Sequence, residues 1–305
     1  MKHSILAALA FVAACQPTVG TLAPASAIGA DIGFLASAAL GGREAGSPGA
    51  DSAAEFIARR YQQLGLRPAF RLRCNSPSSS CPESYFQPFR IERGGAQNVG
   101  AVVDGSDSVL RKQYVVLGAH YDHLGRSPTF SLDHERGFVI RPGADDNASG
   151  TAALMELARR LHDRPTRRSI LIVNFDAEEI GFVGSRVFLD DAPVPRPAMA
   201  FMLNLDMIGR LRQNRLFIEG VRDRATRALI DSAVSAFGIR GDFMASEDRS
   251  DHATFLEGHI EAVSLSTGYH LDYHTASDIA SHINLVGMER VIDAAELILR
   301  RIADR

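Results

Sequence analysis

Several short runs of the chain are apolar almost throughout instead of alternating: YVVLGA at 114–119, SILIVNF at 169–175, MAFMLNL at 199–205 and EAVSLS at 261–266. A strand with one wet face alternates, so runs of this kind predict strands buried on both faces, as in a parallel sheet covered by helices. AQNVGAVV at 96–103 and RLFIEG at 215–220 extend the series, and YFQPFRI at 85–91 has room for an edge strand. Other segments carry apolar residues at helical spacing: 51–65, 151–162, 225–238 and about 284–303. Asp51 and Gly65 mark the ends of the first, and Ser149 the start of the second. The expectation is one α/β domain over 31–305, a three-layer sandwich with a largely parallel central sheet flanked by helices. The remainder of 66–98 reads as irregular, and no internal repeat appears.

Composition alters this picture little. Of 305 residues, 46% are hydrophobic and 23% charged, enough to fill a core and too apolar for wholesale disorder. A formal net charge of -3, with basic residues scattered, offers no nucleic-acid surface. The N-terminus says more. Lys2 and His3 precede ILAALAFVAA, which has the length of a signal-peptide core and falls short of the ~18–20 apolar residues that span a bilayer. The stretch runs into Val12-Ala13-Ala14-Cys15, which resembles a bacterial lipobox. On that reading residues 1–14 are removed, Cys15 is acylated, and 16–30 form a small-residue tether. The other reading is a secretory signal cut after Ala25-Ser26-Ala27. Both imply export, as a periplasmic or outer-membrane-anchored lipoprotein or as a secreted protein, with membrane contact only through a lipid on Cys15. Cys74 and Cys81 then remain, bracketing a Ser/Pro-rich loop, and in an oxidising compartment they are expected to bridge.

Candidate chemistry gathers at the ends of the apolar runs. His120 follows YVVLGA, Glu178 and Glu179 follow ILIVNFDA, Asp206 follows MAFMLNL, His274 lies in YHTASD, and Asp146 sits in PGADDNASG. Open α/β sheets bind ligands beyond the carboxyl ends of their strands, so this placement agrees with the expected architecture. His120, Asp146, Glu179, Asp206 and His274 supply two imidazoles and three carboxylates, a set suited to two Zn²⁺ per chain with one carboxylate shared. Asp122 lies two residues from His120, on the same side of an extended segment, where it can fix the imidazole tautomer. His123 then points the other way and serves the loop. The shared carboxylate is expected at Asp146, with Asp145 serving the turn. Adjacent Glu178 and Glu179 cannot both be buried as free anions without great cost, so Glu179 is expected on a metal and Glu178 as a base. Tyr273 offers a phenol to a developing oxyanion, and Asp278 is expected to orient that loop. His134, His162, His252, His259, His270 and His282 read as loop, surface or packing residues, with Asp251 and His252 shaping a pocket wall. G-x-S-x-G, H-E-x-x-H and Walker A patterns are absent from the sequence.

Taken in order, AHYDHLG, GADDNASG, DAEEIGFVGS, NLDMIG and YHTASD resemble the motifs of the M28 family of di-zinc peptidases, best known from bacterial aminopeptidases. GGREAGSPGADSAAEFIARRYQQLGLRP is similar to that family's opening segment, and the likeness covers about residues 34–303. The resemblance implies one zinc on His120 and Asp206, another on Glu179 and His274, and Asp146 bridging them. It implies Glu178 as general base toward a metal-bridging hydroxide, Asp122 as the residue orienting His120, and Tyr273 as an oxyanion donor. It also implies a cis peptide between Asp146 and Asn147. The activity implied is removal of N-terminal residues from peptides. A glutaminyl cyclase-like enzyme with one zinc, a carboxypeptidase or dipeptidase, and a non-catalytic binding protein remain as alternatives. The loop between Cys74 and Cys81 departs from the family pattern.

Overall fold

The structure, a computed structural model, describes residues 24–72, 81–245 and 249–305. Its strands are β1 (Arg67–Pro68), β2 (Phe70–Arg71), β3 (Glu83–Ser84), β4 (Phe86–Ile91), β5 (Gly94–Val103), β6 (Tyr114–His120), β7 (Ser169–Phe175), β8 (Met199–Leu205), β9 (Arg215–Glu219), β10 (Arg240–Phe243) and β11 (Ala262–Ser266). Nine of them make one sheet in the order β1-β5-β7-β6-β8-β11-β9-β10, with β4 also paired to β5, while β2 and β3 pair separately. The centre is parallel, β7 and β8 flanking β6 and β11 following β8. Antiparallel pairings join β5 to β7 and β9 to β11.

Helices cover both faces. They are α1 (Pro24–Leu35), α2 (Pro48–Gln63), α3 (Gly150–Asp163), α4 (Val183–Asp190), α5 (Arg224–Ser235), α6 (His252–Glu257) and α7 (Leu285–Ala303). On β6, Val115, Leu117 and Ala119 belong to one core, which also holds side chains of α1, α2, α3, α5 and α7. Val116 belongs to the other, with Phe188 and Leu189 of α4 and Phe255 and Leu256 of α6. Every residue of β7 is buried. The unbroken apolar runs thus have the cause assigned to them: helices remove both faces of the sheet from water. The result is the expected three-layer sandwich.

Two expectations need correction. The tether assigned to 16–30 gives way to α1 from Pro24, because Ile28 and Ile32, four apart, put one face of a helix into the core. The segment read as irregular contains β1, β2 and β3, too short for periodicity to reveal. Residues 1–23, with the expected signal and Cys15, lie outside the described residues, as does Cys74. Cys81 is disulfide-bonded. Among the described residues no helix is long and apolar enough to cross a membrane.

Candidate metal centre

Three adjacent central strands deliver the first candidate groups. His120 ends β6, Glu178 lies three residues past β7, and Asp206 directly follows β8. Asp146 comes from the turn before α3, with a cis peptide between Asp146 and Asn147. His274 comes from the loop after β11. Four non-glycine residues at the site hold left-handed backbone: Phe130 at φ 66°, Ala177 at 60°, Met207 at 56° and His274 at 53°. Each such residue costs roughly 1–3 kcal/mol, and that strain is sustained where it aims functional groups. Phe130 shows the use: its carbonyl accepts from His274 Nδ1 at 2.9 Å, leaving Nε2 facing the carboxylates.

The two oxygens of Asp146 face different partners. Oδ1 lies 3.3 Å from His120 Nε2, which is also 3.5 Å from Asp206 Oδ1. Oδ2 lies 3.1 Å from His274 Nε2, which is also 3.2 Å from Glu179 Oε2. Ligands at the ~2.0–2.2 Å bond lengths of tetrahedral zinc stand ~3.3–3.6 Å apart, so the first set has the spacing one ion requires and the second, at 3.1 and 3.2 Å, is slightly tighter. Asp206 Oδ1 is buried with no hydrogen bond of its own, as expected of an atom meant for a cation. Donor chemistry and spacing therefore fit zinc. Glu178 Oε2 stands 4.0 Å from His120 Nε2, beyond a shared coordination edge but close enough to serve a molecule held there.

Asp122 does more than expected. Its carboxylate accepts the backbone N–H groups of Glu178 at 3.1 Å and Glu179 at 3.4 Å. His120 Nδ1 is 3.2 Å from its carbonyl oxygen and 3.5 Å from its carboxylate. One buried residue thus couples the end of β6 to the glutamate pair. Asp278 anchors the Asp146 turn rather than its own loop, accepting from the N–H of Asp145 and of Asp146. Tyr273 stacks on His274, ring centroids 3.8 Å apart.

His123 is a correction. It does not point away: its Nδ1 lies 2.6 Å from Glu179 Oε1, and it groups with Asp146, Glu179 and His274 as a fourth donor. Strand alternation fails there because β6 ends at His120. At 2.6 Å the imidazole and carboxylate are too close to share one tetrahedral ion, so His123 hydrogen-bonds Glu179 and leaves Oε2 to face the cluster. Gly143 makes room for it, since a Cβ there would stand 2.5 Å from the imidazole. His270 is likewise no mere packing residue, with Nε2 3.1 Å from Asp145 Oδ2. Arg43 was not singled out by sequence. Fully buried, it donates to the carbonyls of Leu35, Tyr121, Pro142 and Gly143, clamping the β6 end to the Asp146 turn. No periodicity marks it; a lone arginine in a glycine-rich turn was its only signal.

Burial works against charge on His120, yet Glu178, Asp122, Asp146 and Asp206 outweigh it and hold the imidazole well above its usual range. Burial lifts Glu178 well above an ordinary glutamate; His120 opposes this, and Glu179, Asp206 and Asp251 reinforce it. Asp146 stays well below the usual range despite burial, held there by His120 and His274. The Tyr273 phenol is raised by burial and by Asp146 and Glu179, so it remains a donor.

A cavity of about 140 Å³ adjoins the cluster. Met207, Phe217, Met244 and Tyr269 give it apolar walls, and Glu219, Arg249, Ser250 and Ser264 a polar end. Asp251, expected in a pocket wall, is buried and acts on Glu178 through its charge.

The family described as peptidase family M28 matches residues 98–298. An uncharacterised protein of Escherichia coli, YfbL, is 27% identical over 70% of this chain and 73% of its own length. Aminopeptidase YwaD of Bacillus subtilis is 30% identical over 63% of this chain, a match that spans only 41% of YwaD. Among solved structures, BSAP, a zinc aminopeptidase from Bacillus subtilis, superposes with a TM-score of 0.72. At 17% identity, over 92% of this chain and 95% of BSAP, that likeness concerns the fold.

Proposed function

The chain belongs to peptidase family M28, and from that membership we propose that it is an exported zinc aminopeptidase holding two zinc ions around Asp146. The observation that carries this reading is the divided aspartate, with Oδ1 toward His120 and Asp206 and Oδ2 toward His274 and Glu179. Zinc, when bound, supplies Lewis acidity that polarises a peptide carbonyl and makes water acidic near neutral pH.

The chain's own groups do the rest. Glu178 takes the proton of the attacking water and returns it to the leaving amine, a task suited to a carboxylate whose affinity for protons is raised by burial. The Tyr273 phenol donates to the oxyanion as it develops. Asp122 and His123 act through others, the first fixing the glutamate pair and the second orienting Glu179. Substrates are peptides, with the terminal side chain in the cavity beside Asp206. Export is supported by the apolar stretch after Lys2 and by the disulfide at Cys81, a bond that oxidising compartments sustain. On the lipobox reading, a lipid on Cys15 attaches the protein to the membrane; on the secretory reading it is released.

The deciding assay is hydrolysis of aminoacyl-p-nitroanilides and short peptides, before and after chelation. Activity is expected to vanish with chelator and return with Zn²⁺. Inactivity across a broad peptide panel at full zinc load would favour a binding protein, and one zinc per chain at saturation a cyclase-like site.

A further inference from the structure

A second cleft meets the cluster from another side. Glu178 lines the 140 Å³ cavity, whereas its neighbour Glu179, with Asp122 and His123, lines a cleft walled by Phe130, Ile180, Ile91 and Leu124. The two spaces have no lining residue in common. Ser250 and Ser264, 2% and 4% exposed, belong to the polar lining of the cavity. The cleft is bordered by Phe130 and Ile180, large apolar side chains left 64% and 46% exposed. Both are fixed to the ligands: Ile180 directly follows Glu179, and the Phe130 carbonyl holds His274 Nδ1. Phe130 keeps this exposed ring while in left-handed backbone, so neither core packing nor local conformational preference accounts for it. The outer end is polar, where Arg93 pairs with Glu44.

An enzyme that removes one terminal residue needs one space for that residue and another for the rest of the peptide. Building on the aminopeptidase reading, we propose that the Phe130–Ile180 cleft receives the residue following the scissile bond and selects a large apolar side chain there. Exposed apolar walls beside polar ligands are the arrangement by which binding sites favour apolar groups. The occupant is the substrate itself, because Glu179 and His123, at the edge of the metal-binding cluster, line the cleft.

The test compares kcat/KM for Leu-Phe-amide, Leu-Leu-amide and Leu-Ser-amide on the zinc-loaded full chain. The apolar substrates are expected to exceed Leu-Ser-amide by about tenfold or more, mainly through KM. Ile180→Thr and Phe130→Asn, the latter chosen because asparagine tolerates left-handed backbone, should each cut that ratio about threefold or more. A ratio near one in the native enzyme, or one that survives both substitutions, overturns the proposal. Because the native ratio is informative alone, an unfolded variant does not shield the idea. Failure to cleave any of the three peptides would instead count against the aminopeptidase reading.

Discussion

Glu178 and Glu179 are neighbours in sequence with opposite tasks, and the surroundings separate them. Glu179 meets His123 and His274, which together outweigh burial and the nearby Asp146 and bring its pKa down to about 2. It therefore offers an anion to a metal. Glu178 has no such donors and stands 4.0 Å from the nearest imidazole nitrogen. That difference predicts a clean division in mutagenesis. Glu178→Gln should retain zinc at native stoichiometry, measured by mass spectrometry of the metal, while kcat falls by about 10²–10⁴. Loss of zinc with the activity would show that Glu178 is itself a ligand.

At the scale of elements, the sequence revealed most where burial was complete. β6, β7 and β8 announce themselves because each loses both faces to the cores, and ligands directly beyond their ends were readable with them. The turns were less legible. His123 followed no strand rule once β6 ended, and Arg43 and the Phe130 carbonyl act through backbone oxygens that carry no residue-type signature. The ion pairs tying α3 to α7 were equally hidden, since they depend on how helices dock. Arg160 on α3 joins Glu156 of its own helix to Asp293 and Glu296 of α7. Burial raises the Glu156 carboxyl, but hydrogen bonds from Arg159 and Arg160 prevail and hold it below the ordinary glutamate range. A carboxyl lowered on folding contributes stability above its unfolded pKa and loses it as pH falls through the folded value. In the chelated protein, Glu156→Gln should therefore lower Tm by about 2–4 °C at pH 7. Calorimetry should show the gap closing as pH falls through and below the ordinary glutamate range; a constant gap would mean that the charge of Glu156 does not matter.

For the whole molecule, the centre is a point of closure among segments far apart in the chain. His120, Asp146, Glu179, Asp206 and His274 come from the ends of four strands, β6, β7, β8 and β11, and the segments that follow them, and of these five Asp146 contacts both groups. Two sites joined through one side chain should fail together when that side chain is lost, and singly when an unshared ligand is. Asp206→Asn removes a ligand from the His120 side only, so the side built from Glu179, His274 and Asp146 should still bind one zinc. Asp146→Asn weakens both sides at once, since an amide supplies one neutral oxygen where two charged ones stood. Zinc at a hundredfold excess over its Kd stabilises the fold by about 2.7 kcal/mol per site, which a thermal scan detects. The native protein should gain Tm in two steps as zinc is titrated, Asp206→Asn in one, and Asp146→Asn in none over the same range. Should Asp146→Asn keep one zinc as tightly as Asp206→Asn does, the shared-carboxylate arrangement is wrong and the two groups bind separately.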